Sequence, residues 1–131
     1  MILVHLIIAI IIIGLGLLLG IWGIRQRRIS ALSGKFWQLQ GILQIAILIQ
    51  AVTGVILYLG GERPKDPLHL MYGGIALLAI GFERGAMPGR AIRETIETDY
   101  GRFNEGWIFG VSNLLIFAVA GRALTTAIWG F

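Results

Sequence analysis

The first 24 residues are the feature that most limits what this chain can fold into. From Ile2 to Ile24 the residues are apolar, apart from His5 and several glycines. A helix over this run is about 34 Å long, which is enough to cross the hydrocarbon core of a bilayer. A signal peptide is the alternative. However, no basic segment precedes the run, and the run is longer than the apolar segment of a signal peptide, which has about 7–15 residues. The run therefore predicts a transmembrane helix.

Three more apolar segments follow, and the four together predict a membrane domain. The spans cover about 2–24, 36–59, 67–84 and 107–130, and the third is short because its apolar residues end near Phe82, before Glu83 and Arg84. The chain has 131 residues, of which 56% are hydrophobic, and a mean hydropathy of +0.82. A soluble domain this small would leave too much apolar surface in water. We therefore expect a single all-α domain, a transmembrane four-helix bundle of up-down-up-down topology in the lipid bilayer.

Basic residues predict the orientation of the spans. The first loop contains Arg25, Arg27, Arg28 and Lys35, and the third loop contains Arg84, Arg90, Arg93 and Arg102. The second loop contains only Arg63 and Lys65, so the count is eight against two. Cytoplasmic loops carry the excess of such residues. We expect a multi-pass protein of the bacterial plasma (inner) membrane with both termini non-cytoplasmic. The same loops, facing anionic lipid, account for the net charge of +4 without nucleic acid as a partner.

The third loop is predicted to contain a short amphipathic helix on the inner membrane surface. Pro88 is a suitable first residue, and apolar positions then recur at spacings of four, four and three: Ile92, Ile96, Tyr100 and Phe103. Oppositely charged residues four apart, Arg90 with Glu94 and Arg93 with Glu97, favour the same helix.

The two histidines are the most informative polar residues. His5 lies in the first turn of span one, and Asp66 followed by Pro67 is typical of a helix start, which puts His69 in the first turn of span three. Both turns lie at the same side of the membrane, on helices that are diagonal in an up-down-up-down bundle. With neighbouring helices about 8–10 Å apart, the diagonal of roughly 11–14 Å suits two imidazoles that reach one metal. A single bis-histidine haem b is the cofactor that we expect.

Small residues follow each histidine on its own helical face, and a flat macrocycle needs such space. They are Ala9 and Gly16 after His5, and Gly73 and Ala76 after His69. Close helix packing explains small residues equally well, and single histidines near an interface are common without being ligands. The pairs Gly16 with Gly20, Gly81 with Gly85 and Gly106 with Gly110 likewise predict close helix contacts, within the chain or with other subunits.

Polar residues inside the other spans are further candidates. Arg122 is the one charged residue well inside a span, with Gln50 at a comparable depth, and we expect no carboxylate in any span to neutralise it. Arg122 is a candidate for a haem propionate, a quinone oxygen or a lipid phosphate; the alternatives are snorkelling with a hydrogen bond to Gln50, or an ion pair with a partner subunit. Gln40 and Gln44 share a face of span two, and with Asn113 they are expected to join helices two and four by hydrogen bonds.

The segment from Arg63 to Gly73, which contains the sequence Asp-Pro-Leu-His, resembles a motif of small, uncharacterised four-span bacterial membrane proteins, over about the second and third spans. In outline the chain is also similar to small b-type cytochromes, and that resemblance implies His5 and His69 as axial ligands. Two histidines serve only one haem, so the resemblance implies no electron path across the membrane within this chain.

Three functional hypotheses follow. The first is a tetrapyrrole-binding subunit with an electron-transfer role, in which His5 and His69 bind haem b or the magnesium of a bacteriochlorophyll. The second is an accessory or assembly subunit of a larger respiratory or photosynthetic complex, or a homo-oligomer, without a cofactor. The third is a quinone- or lipid-binding protein that uses Arg122, Gln50 and Tyr72. No catalytic residue is predicted, because hydrolase and phosphate-loop motifs are missing, and the lack of cysteine excludes thiol catalysis and iron–sulfur clusters.

Overall fold

The computed structural model of the protein describes residues 1–29 and 31–130, and this part of the chain is all-α. Its five helices are α1 (Ile2–Arg25), α2 (Gly34–Leu59), α3 (Leu68–Gly85), α4 (Ala91–Tyr100) and α5 (Glu105–Ile128). By length and composition, α1, α2 and α5 are able to cross a membrane, and α3 is not among these candidates. The all-α class is confirmed. A fourth span in α3 and the orientation of the termini stay predictions.

Helix α1 packs against α2 and α5, and α3 packs against α5 and, more sparingly, against α2. Contacting helices run antiparallel, because Gly16 of α1 lies near Phe117 of α5 whereas Gly23 lies near Gly110. Helices α1 and α3 therefore begin at one end of the molecule, which we call the histidine end. The opposite end, where α3 finishes, is the glutamate end.

Glycines bring α1 and α5 into backbone contact. A Cβ atom added to Gly23 would lie 2.8 Å from the Cα atom of Gly110, and one added to Gly16 would lie 3.1 Å from the backbone nitrogen of Phe117. The predicted close contacts are confirmed here, within the chain. Gly81 makes no such contact with the described part of the chain, so a close contact of this glycine with another subunit stays a prediction.

The start of α3 is built much as the sequence indicates. The Asp66 carboxylate accepts a hydrogen bond of 2.9 Å from the backbone N–H of Leu68, which satisfies a donor that the helix leaves free. Asp66 followed by Pro67 predicts Pro67 as the first helical residue, but Pro67 is the N-cap and the helix begins at Leu68. His69 lies in the first turn, as predicted.

Helix α4 begins at Ala91, three residues after Pro88. Its Arg93 contacts Glu97 at 3.2 Å, as the spacing predicts, and also the buried Glu105 at 2.8 Å, which ties α4 to the first turn of α5. Tyr100 is 84% exposed and Phe103 lies beyond the end of the helix. Contact of the apolar face of α4 with the membrane surface stays a prediction.

Candidate functional site

His5 and His69 meet at the histidine end. Their ring centroids lie 6.1 Å apart, with the ring planes inclined at 53°, and both residues are half-buried. Two imidazoles that share one metal ion need about this separation, since each metal–nitrogen bond is about 2.0–2.1 Å long and each ring adds about 1 Å between nitrogen and centroid. The two rings thus lie close together, as expected from the topology, and their binding of one metal stays a prediction.

A threonine of α2 fixes the tautomer of His5. The His5 Nδ1 atom lies 2.8 Å from the Thr53 hydroxyl oxygen, and this hydroxyl donates its single hydrogen to the Gln50 carbonyl at 3.0 Å. With that hydrogen committed, the hydroxyl oxygen can only accept from His5. His5 Nδ1 therefore carries the proton.

A backbone carbonyl of α5 does the same for His69. The His69 Nδ1 atom lies 2.7 Å from the Ala123 carbonyl oxygen, which has no hydrogen to donate. His69 Nδ1 is therefore the donor. In the neutral form of each ring the remaining nitrogen, Nε2, would keep its lone pair, and neither Nε2 atom has a hydrogen-bond partner in the described part of the chain. Metal-ligating histidines characteristically donate through the other ring nitrogen in this way.

Both rings line a cavity of about 570 Å³ between α1, α2, α3 and α5. The volume falls within the range of about 300–1,000 Å³ usual for cofactor sites, and the wall is predominantly apolar. Much of that wall is alanine and glycine: Ala9, Ala51, Gly54, Gly73, Gly74, Ala76, Ala120, Ala123 and Ala127.

The small residues that line the cavity differ in part from those that the sequence predicts. Ala9, Gly73 and Ala76 line the cavity as expected, but Gly16 does not, because it packs against α5. Sequence reasoning missed the contribution of α2 and α5. The spacing of Ala120, Ala123 and Ala127 was the available signal, since residues three and four apart share a helix face.

Three other predicted site residues, Gln50, Tyr72 and Gly73, also line the cavity. The Gln50 side-chain oxygen is buried and has no hydrogen-bond partner among the described residues. A buried acceptor without a partner is costly, so this oxygen is available for a donor on a bound molecule.

Arg122 is placed elsewhere. It is exposed, and it is not part of the cavity wall, because its neighbours Ala120 and Ala123 occupy the inward face of α5. Its guanidinium has no hydrogen-bond or ion-pair partner in residues 1–29 and 31–130. The structure therefore does not bring Arg122 together with Gln50 or the histidines, and a contact with lipid or a partner subunit stays a prediction.

The glutamate end contains a polar cluster, and beside it an open apolar groove of about 450 Å³ lies between α3 and α5. Glu83 is fully buried, and its carboxylate accepts hydrogen bonds from Gln40, from Gln44 at 3.4 Å and from the Ser112 hydroxyl at 2.9 Å. Gln40 also exchanges two hydrogen bonds with Asn113, of 3.1 and 2.6 Å. The predicted joining of the second and last long helices by Gln40 and Asn113 is confirmed.

Helix α3 covers Leu68–Gly85, close to the predicted span of 67–84, and it turns the Glu83 side chain inward, which the sequence analysis did not predict. The signal for its burial was the spacing of Ala76, Ala79, Ile80 and Glu83, which form the buried face of α3.

Within the described ranges, no group of three or more His, Cys, Asp or Glu residues is arranged to hold a metal ion by protein ligands alone. Two imidazoles complete the coordination of a metal only when another ligand, such as a macrocycle, supplies the rest. Comparison of the chain with protein-family models, with curated proteins and with solved structures found no match.

Proposed function

We propose that this chain is a membrane haem-binding subunit in which His5 and His69 ligate a single haem b. The observation that carries the proposal is the pair of imidazoles 6.1 Å apart, each donating through Nδ1 and each with a free Nε2 lone pair, in an apolar cavity. Such an iron centre supplies one-electron transfer, so we propose an electron-transfer role at the histidine end.

The distribution of small residues supports a flat ligand. A flat macrocycle bound by His5 and His69, from α1 and α3, would need space on the side of α2 and α5. Those two helices present Ala51, Gly54, Ala120, Ala123 and Ala127 to the cavity. Larger side chains at these positions would fill the space that the edges of the ring require.

The membrane topology is part of the proposal. With 18 residues, α3 is about 27 Å long, close to the thickness of the hydrocarbon core of about 30 Å. Its one buried carboxylate, Glu83, has three hydrogen-bond donors, which lowers the cost of placing it near a membrane boundary. We propose four spans with the histidine end on the non-cytoplasmic side of a bacterial plasma membrane.

The absorption spectrum of the protein purified in mild detergent, with haem added, tests this function. We expect a Soret band that is lost or shifted in both His5→Ala and His69→Ala, and a positive pyridine haemochrome assay for the wild type. Leu6→Ala is the matched control, since it shortens a cavity residue next to His5 without removing a ligand. A folded protein that stays colourless with added haem contradicts the proposal and favours an accessory subunit without a cofactor.

A quinone or lipid is the second candidate occupant of the same cavity. The unpartnered Gln50 oxygen and the Tyr72 side chain in the cavity wall favour it, because an amphiphile with a hydroxyl or carbonyl group could bond to them. Native mass spectrometry distinguishes the candidates, since a bound quinone or lipid mass in colourless protein supports this occupant and a haem mass supports the first.

A further inference from the structure

Arg63 is exposed and lies beside the cavity wall, where two different contacts hold it. Its guanidinium carbon lies 3.8 Å from the centroid of the Tyr58 ring. One terminal nitrogen, Nη1, also donates to the backbone carbonyls of Tyr58 and, at 3.2 Å, of Glu62. Since Tyr58 is part of the cavity wall, these contacts place a positive charge next to that wall.

The contacts leave the other edge of this guanidinium unused. Arginine has five N–H donors, and two carbonyls account for the two donors of Nη1. The Nε and Nη2 atoms have no partner in the described part of the chain, and together they form the planar fork that binds a carboxylate through two parallel hydrogen bonds. An arginine fixed by a ring and two carbonyls also loses little side-chain freedom when it binds such a group.

We infer that Arg63 binds an acidic group of the molecule in the cavity and so selects a tetrapyrrole with free carboxylates. The inference rests on the proposed function and goes further, because it distinguishes haem b, with two free propionates, from a bacteriochlorophyll, whose corresponding acid is esterified. It also replaces Arg122 by Arg63 as the partner of a haem propionate. Neither arginine is part of the cavity wall, but Arg63 lies over the ring of Tyr58, which is a wall residue, whereas the Arg122 guanidinium has no partner in the described part of the chain.

A purely structural role for Arg63 is the alternative to be tested. A basic side chain that bonds the last carbonyls of a helix stabilises its C-terminus, and Arg63 does so for α2. Loss of that role lowers the stability of the protein, but it changes the binding of free and esterified haem equally. The ratio of the two affinities is therefore the decisive quantity.

The experiment is a titration of the full chain, in phosphatidylcholine nanodiscs, with haemin and with haemin dimethyl ester. The Soret change gives a Kd for each. We expect the wild type to bind haemin about ten-fold more tightly than the diester, the effect of a charge-assisted hydrogen bond. In Arg63→Gln the ratio should fall close to one, whereas Arg63→Lys should retain part of it, because lysine keeps the charge and loses the fork. Lys65→Gln is the control, as it removes a charge from the same loop and should leave the ratio within about two-fold of the wild type.

Equal binding of haemin and its diester by wild-type protein, with a Soret band that depends on His5 and His69, would overturn this inference and leave the proposed function intact. A ratio that is unchanged in Arg63→Gln would overturn it as well. Failure of both compounds to bind would overturn the proposed function and this inference together. If Arg63→Gln does not fold, the wild-type ratio and that of Arg63→Lys decide the question.

Discussion

The two ends of this helix assembly differ in how densely their interiors are packed. At the glutamate end aromatic rings fill the space between α1, α2 and α5, and the open groove lies to one side, between α3 and α5. The rings form an edge-to-face chain with centroids 4.9 to 6.4 Å apart, in the order Trp22, Phe36, Trp37, Phe109 and Phe103. At the histidine end the interior is a cavity of about 570 Å³, lined by small residues. The same four helices thus enclose a dense half and an open half.

Polar groups follow the same division. The side-chain amides and the carboxylate of the glutamate end bond to one another, as Gln40, Glu83 and Asn113 illustrate. At the histidine end His5 and His69 each use one ring nitrogen within the protein and leave the other free. Satisfied networks fix a structure, whereas groups left free in a cavity are typical of a site that receives a ligand. If the proposed function holds, one end provides stability and the other binding, and each half of that statement can be tested.

The largest effect is expected from Gly23→Ala in the dense half. The added Cβ atom would lie 2.8 Å from the Gly110 Cα atom and 2.9 Å from the Gly106 carbonyl oxygen, which are backbone atoms that cannot move aside alone. We expect the free energy of unfolding to fall by about 3 kcal/mol, measured by denaturation in mixed micelles. In the control Gly14→Ala on the same helix no described atom outside the helix backbone lies within 4 Å of the new Cβ atom, so stability should be unchanged or slightly higher. Equal effects in both variants would contradict the assigned packing.

Glu83→Ala should have the next largest effect, again on stability. It leaves the donors of Gln40, Gln44 and Ser112 without their acceptor in a buried site, at an expected cost of about 2–3 kcal/mol. Glu97→Ala is the control, because its carboxylate is half-exposed and bonds only at the surface of α4. The spectrum of bound haem should be the same in Glu83→Ala as in the wild type. A changed Soret band at normal stability would break the division between the two ends.

Much of this arrangement can be predicted from the sequence, because long apolar segments suited to a membrane have few possible structures. Long apolar runs such as that of α1 fix helices, and alternating directions place the first turns of α1 and α3 at one end, so the meeting of His5 and His69 could be predicted from topology alone. The cap formed by Asp66 is a local signal and was equally readable.

The rotation of each helix about its own axis is harder to predict from the sequence. Hydropathy in a membrane chain does not separate the lipid-facing from the inward-facing side, since both are apolar. For this reason depth alone pairs Arg122 with Gln50, although the two face different surroundings. For the same reason, the hydropathy of the predicted span 67–84 does not indicate that Glu83 points inward. Arg63 was counted as a loop charge, because its contact with Tyr58 depends on the fold of the loop after α2.

A smaller effect, confined to binding, is expected from Thr53→Val in the open half. Valine has the shape of threonine without the hydroxyl that accepts from His5 Nδ1, so the ring is no longer held in one tautomer and orientation. We expect the Kd for haemin to rise about ten-fold, while the thermal midpoint moves by only a few degrees. Thr95→Val is the control, because Thr95 bonds to a carbonyl of its own helix far from the cavity. An unchanged Kd in Thr53→Val would show that the threonine does not orient the ligand.

The smallest effect is expected from Gly54→Ala, which tests how closely the histidine end is fitted. The new Cβ atom would lie 3.2 Å from His5 Cε1 and 4.0 Å from Nε2, so the ring has to shift by a few tenths of an ångström. Because the cavity is open on the other side of the ring, this shift should cost little stability and raise the Kd for haemin about three-fold, with a small displacement of the Soret maximum. Gly41→Ala, on the same helix with no described atom outside the helix backbone within 4 Å of its Cβ position, should change neither quantity. A large loss of stability in Gly54→Ala would mean that the histidine end is as tightly packed as the glutamate end, and the contrast between the two would fail.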